Sequence, residues 1–182
     1  MMDGIPNRKE TALIVVDVQE KFRPVIFEFD RVVENSSKLI RAFHAFKVPI
    51  IHTEQYSKGL GVTVPELAAL LREKPVEKAE FSCFRNETFR KHVKGLGVKS
   101  LVICGIEAHV CVLQTALDAI REGYEVYIVK DAISSRKKSD WKTAMDRAAQ
   151  SGAYSVSTEM IIFQLMEKAG DGEFKEIQKI VK

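Results

Sequence analysis

At 182 residues, with 46% hydrophobic and 29% charged residues, the chain has a globular composition and enough length to bury a substantial core, which excludes disorder. Its 28 basic and 25 acidic residues leave a net charge of +3, mixed along the sequence with no basic block interleaved with aromatics, so nucleic acid is not expected as a partner. No apolar run approaches the roughly 20 residues that cross a bilayer, so no membrane is expected as a partner.

The opening MMDGIPNRKE holds no leader-like apolar segment. Three cysteines without disulfide-like spacing fit a reducing compartment, and the expected location is the cytoplasm. Thr11–Asp17 is a continuous apolar run ending on a carboxylate, as a central parallel strand buried on both faces requires. Arg31–Lys47 repeats apolar residues at helical spacing through Val32, Leu39, Ile40, Phe43 and Phe46. Val48–His52 reads as a second strand with Pro49 near its start, and Thr53–Val64 as a polar loop carrying Gly59 and Gly61. A short helix follows Pro65, and Lys74–Lys78 reads as a short edge strand. Thr88–Lys94 is helical and closes at Gly95 and Gly97.

Ser100–Cys104 is a strand, Gly105–His109 a turn, and Val110–Glu122 a helix that Gly123 ends. Glu125–Val129 is the next strand, followed by Asp131. The basic cluster Arg136–Lys138 reads as a solvated loop. Asp140–Ser151 is helical, Ala153–Ser157 a last strand and Thr158–Lys168 a helix. The tail Glu173–Val181 is amphipathic and should dock on the body or on another subunit. No repeat, linker or composition shift divides residues 1–182, which read as a single domain. Strands alternating with helices imply a three-layer α/β/α fold around a mostly parallel, Rossmann-like six-stranded sheet.

In such sheets the ligand site lies beyond the carboxyl ends of the strands. That rule brings Asp17, His52, Gly105–Cys111 and Asp131 together. Cys111 falls in the first turn of a helix, where free amides and the dipole favour a thiolate; it is read either as a nucleophile or as a small core residue. Cys104 and Cys83 read as packing residues, and Asp131 as a residue that fixes a loop.

Asp17-Val18-Gln19 at the end of the first strand, Lys78-Ala79-Glu80-Phe81-Ser82-Cys83-Phe84, and Gly105-Ile106-Glu107-Ala108-His109-Val110-Cys111-Val112 occur in an order that resembles the isochorismatase-like cysteine hydrolases. Within them the chain looks most like the isochorismatase domain-containing proteins. The resemblance implies that Cys111 attacks an electrophilic carbon, that Asp17 takes its proton, and that Lys78 stays charged, lowers the thiol pKa and steadies the pair through a salt link to Asp17. It further implies a cis peptide at Ile106-Glu107, which would direct backbone amides at an oxyanion. Gln19, Phe22, Tyr56 and His109 are candidate substrate-binding residues, in part on the pocket-shaping loops Phe22–Phe29 and Thr53–Val64.

The metal-dependent amidases of that superfamily carry an aspartate and histidines after the second strand. Here that place reads His52-Thr53-Glu54-Gln55-Tyr56, so no metal and no cofactor are expected. The expected activity is metal-independent hydrolysis of a small-molecule amide, carbamoyl or ester-like substrate by a homo-oligomer. The alternatives are vinyl-ether cleavage and a non-catalytic binding or scaffold protein with a retained pocket.

Overall fold

The computed structural model describes residues 4–170 and 172–182; residues 1–3 of the stretch read for a leader lie outside them. Strand β1 (Thr11–Val16) is buried throughout, with Leu13 and Val15 in one apolar layer and Ala12, Ile14 and Val16 in the other. A strand apolar on both faces needs helices on both sides. The remaining strands are β2 (Ile50–Gln55), β3 (Val76–Lys78), β4 (Ser100–Ile106), β5 (Glu125–Ser134) and β6 (Tyr154–Val156). They form one six-stranded sheet in the order β3-β2-β1-β4-β5-β6, and every neighbouring pair is parallel.

The helices are α1 (Phe29–Ala45), α2 (Ser57–Leu60), α3 (Pro65–Ala68), α4 (Glu87–Leu96), α5 (Leu113–Arg121), α6 (Lys138–Gln150), α7 (Thr158–Met166) and α8 (Phe174–Val181). Phe43 of α1, Leu67 of α3, Ile161 of α7 and Ile177 of α8 pack on one face of the sheet. Phe89 of α4, Ala116 of α5 and Ala144 of α6 pack on the other. The three-layer fold is therefore the expected one. No described helix is long and apolar enough to cross a membrane. The amphipathic tail docks on its own chain, with Ile177 wholly buried where α8 meets α1 and α7.

From β1 the chain builds outward through β2 and β3, then returns to place β4 on the other side of β1. This reversal opens a crevice between β1 and β4 at their carboxyl ends. Among the element boundaries that differ from the sequence reading, three bear on that edge. β2 starts at Ile50 and continues through Thr53, Glu54 and Gln55, so His52 lies inside the strand rather than at its end. β5 runs on to Ser134, so Asp131 is a strand residue. β4 extends to Ile106, and residues Ala108–Val112 form a wide π-type helical turn before α5 begins.

The register of β4 against β5 shifts between Ile103 and Gly105. Gly105 sits there at φ +112°, and a Cβ at this position would lie 2.0 Å from the Val16 carbonyl oxygen. Only glycine lets β4 pass this close to the end of β1.

Candidate active site

Four adjacent strands each deliver a polar group to the same point at the carboxyl edge of the sheet. Asp17, immediately after β1, takes a left-handed backbone conformation at φ +51°, which an aspartate tolerates better than most residues. Lys78 closes β3, Thr53 and Gln55 come from β2, and Cys111 comes from the turn after β4.

Lys78 Nζ donates to Asp17 Oδ2 at 2.6 Å, with the two side chains 0% and 1% exposed. Its other two protons go to Gln55 Oε1 at 2.6 Å and to the Glu80 carbonyl at 3.2 Å, so the ammonium is fully satisfied. Thr53 Oγ1 donates to Asp17 Oδ1 at 2.6 Å, giving each carboxylate oxygen its own donor. Burial by itself would discharge Lys78; the Asp17 charge, the two neighbouring sulfurs of Cys83 and Cys111 and the hydrogen bond to Asp17 together outweigh it and hold the amine above its ordinary value.

Cys111 lies beside Asp17 and Lys78 and feels both charges. Burial pushes its thiol up, the Asp17 carboxylate pushes it further, and Lys78 only partly opposes them. This runs opposite to the expected lowering of the thiol pKa: burial and the neighbouring Asp17 both favour the protonated sulfur. The reason is geometric. Lys78 spends its charge on a direct bond to Asp17, whereas Asp17 faces the sulfur itself. Cys111 is 7% exposed while Cys83 and Cys104 are wholly buried, so it is the reachable thiol of the three. Burial pushes Cys83 up to about 11 and Cys104 up to about 12, in keeping with packing roles.

The Ile106-Glu107 peptide is cis. The Glu107 carboxylate turns outward to accept from the backbone and Nε of Arg136, both at 3.1 Å. His109 Nδ1 lies 2.9 Å from Ser135 Oγ, leaving the ring half-buried at the rim. Tyr56 is 62% exposed, with its ring over Gly59, where a Cβ would come within 2.4 Å. Phe22 packs half-buried against the core layer of α1.

Gln19 is a correction. It is wholly buried, its amide nitrogen donates to the carbonyls of Gln55 and Gly61, and its oxygen accepts from the Gln55 backbone. With both amide protons and its oxygen bonded to backbone, it clamps the loop after β2. Asp131 does hold a chain segment in place: its Oδ1 accepts from the backbone and hydroxyl of Thr158 at the start of α7. Glu54 spends one carboxylate oxygen on the backbone and hydroxyl of Thr63, at 2.7 and 2.8 Å. Among the described residues no group of three His, Cys, Asp or Glu is arranged to hold a metal ion.

Thr53 and Gln55 are site residues that sequence reasoning missed. Both stood in a stretch taken for a loop, and the only available signal was a run of polar residues directly after an apolar strand.

The family model for the Isochorismatase domain matches residues 11–160. Isochorismatase domain-containing protein 2 of Danio rerio is 44% identical over 179 residues, a match covering 98% of this chain and 90% of that protein. Among solved structures, the MAR1 ribonuclease from Caenorhabditis elegans superposes with a TM-score of 0.91 at 40% identity, covering 96% of this chain and 91% of that one. An octameric hydrolase of unknown specificity from Escherichia coli gives a TM-score of 0.85 at 30% identity, covering 89% and 82% of the two chains.

Proposed function

The chain belongs to the isochorismatase family, and on that premise we propose that it is a metal-independent cysteine hydrolase of a small amide, carbamoyl or ester-like substrate. The observation that carries the reading is the one thiol with solvent access, Cys111, set beside a buried carboxylate that is paired with Lys78.

Asp17 takes the Cys111 proton as the sulfur attacks the substrate carbonyl. The carbonyl electron pair moves onto oxygen, where the backbone amides of Glu107 and Cys111 stabilise it. Collapse of this intermediate expels the leaving amine or alcohol, which receives the proton from Asp17, and leaves an acyl-thioester on Cys111. Asp17 then deprotonates water for attack on the thioester, the carboxylic acid departs and the thiol is restored. A neutral resting thiol suits this sequence, because the sulfur becomes strongly nucleophilic only as its proton leaves. Thr53 and Gln55 act as positioning residues for Asp17 and Lys78. His109, Tyr56 and Phe22 at the rim are the proposed substrate contacts. The working unit is proposed to be a homo-oligomer in the cytoplasm, the first in line with the octameric Escherichia coli relative.

The test is a panel of activated esters, small amides and carbamoyl compounds, with intact-mass analysis of the enzyme during turnover. The expected result is an acyl adduct mapped to Cys111 and no turnover by Cys111→Ser. In Asp17→Asn the alkylation profile of Cys111 should move to lower pH, because a charge that raises the thiol is gone, while turnover disappears. Hydrolysis that survives Cys111→Ser, or an adduct on Cys83, would sink the mechanism.

The Caenorhabditis elegans relative carries the name of a ribonuclease. Here Lys78 is paired with Asp17 and Arg136 with Glu107, which disfavours a phosphate-bearing substrate. RNA cleavage that Cys111→Ser abolishes would reverse that preference.

A further inference from the structure

β3 pairs only with Thr53, Glu54 and Gln55, so the first half of β2 has no strand on that flank. The chain from Leu71 to Pro75 crosses there as an irregular strap. Between the strap, the strand edge and the C-terminal ends of α1 and α4 lies a cavity of about 510 Å³, within the range of small-molecule sites. It stands at the opposite end of β2 from the residues that hold Asp17 and Lys78.

Ile51, Leu71, Val76 and Leu96 give the cavity apolar walls. His52 also lines it, 5% exposed and, among the described residues, with neither a hydrogen bond nor a salt bridge. Burial lowers the pKa of His52, with Glu54 opposing in part, and its ring nitrogens have no protein partner among the described residues yet are not sealed from solvent, so a ligand hydroxyl can reach them from the cavity. A ligand hydroxyl that reaches the ring exchanges its hydrogen bond to water for one to the protein in a partly apolar site.

The mouth is basic. Lys47, Arg72 and Lys74 stand there, and Glu73 is the one carboxylate among the lining residues. Lys47 already acts on Glu173. Arg72 and Lys74 enter no ion pair or hydrogen bond among the described residues, and they belong to the strap rather than to a helix end whose carbonyls would account for them.

We propose that this cavity binds a small amphiphilic carboxylate: its carboxylate at Arg72 and Lys74, its apolar body between Leu71, Val76 and Leu96, and a hydroxyl at its far end on His52. This site is separate from Cys111 and does not depend on the hydrolase reading.

Calorimetric titration of the full chain tests it, with para-hydroxyphenylacetate as the probe. Saturable binding is expected. Phenylacetate, which lacks the hydroxyl, and para-hydroxyphenylethanol, which lacks the charge, should each bind on the order of tenfold more weakly. The surface double variant Arg72→Ala/Lys74→Ala should weaken the acid to the level of the alcohol while leaving Cys111 alkylation unchanged. His52→Phe should erase the preference for the hydroxyl. Absence of saturable binding, or equal affinity for acid and alcohol, would overturn the proposal. So would loss of binding once Cys111 is alkylated, because the ligand would then belong to the thiol site.

Discussion

Replacing Lys78 by methionine keeps a long unbranched side chain in the pocket and removes its charge. The ammonium lies 2.6 Å from Asp17, with both side chains at most 1% exposed. The variant therefore leaves a buried carboxylate with the Thr53 hydroxyl as its remaining side-chain donor. It also strands the Gln55 side-chain oxygen and the Glu80 carbonyl. Breaking a buried pair from one side costs about 3–5 kcal/mol, against about 0–1 kcal/mol for an exposed pair. With a urea slope of about 2 kcal/mol/M, a loss of about 4 kcal/mol lowers the unfolding midpoint by about 2 M. The assay is urea unfolding followed by far-ultraviolet circular dichroism, run beside the double variant Asp17→Asn/Lys78→Met. Removing both charges should recover most of the loss, since neutral replacements of a buried pair are often tolerated. Two results refute the reasoning. A single variant within about 1 kcal/mol of the parent would mean the pair is solvated. A double variant as unstable as the single would mean the cost is packing and not charge.

Stability should fall on the alkaline side in a defined window. Burial raises all three thiols above their ordinary value of 9.0, Cys83 to about 11 and Cys104 to about 12. A group raised in the folded state contributes fully below its unfolded value and loses that contribution as pH climbs through the folded one. The urea midpoint should therefore begin to drop above pH 9.0 and keep dropping past about 11, with Lys78 adding to the loss only beyond its ordinary 10.5; a flat profile would show the thiols to be solvated. Gly105→Ala should cost about 1–3 kcal/mol or more in thermal unfolding, because its methyl meets the Val16 carbonyl. The same variant should slow alkylation of Cys111, and a melting temperature and alkylation rate like the parent's would contradict the close approach. Gln19→Ala should lower stability by about 1–3 kcal/mol by stranding backbone groups of Gln55 and Gly61. Unchanged stability with only a raised KM would instead make Gln19 a substrate contact.

The parts of the site legible in the sequence share one property: each sits where an apolar pattern ends abruptly. The run from Thr11 stops at Asp17, and the strand from Ser100 runs into the glycine turn before Cys111. What was not legible lies where a strand continues under polar side chains. Thr53, Glu54 and Gln55 extend β2, yet their polarity imitates a loop because Asp17, Thr63 and Lys78 take up their hydrogen bonds. Lys130 and Asp131 disguise the middle of β5 in the same way, with the Asp131 carboxylate holding the start of α7. Apolarity reports burial only where the core is apolar, and the carboxyl edge of a parallel sheet is the place where buried residues have polar partners. The protonation state of Cys111 was beyond the sequence for a related reason. Lys78 and Asp17 carry opposite charges of equal size, so the sign of their combined effect on the thiol depends on which one faces it. The resemblance implies the salt link of Lys78 to Asp17, but only the fold determines that Asp17 is left to act on the sulfur.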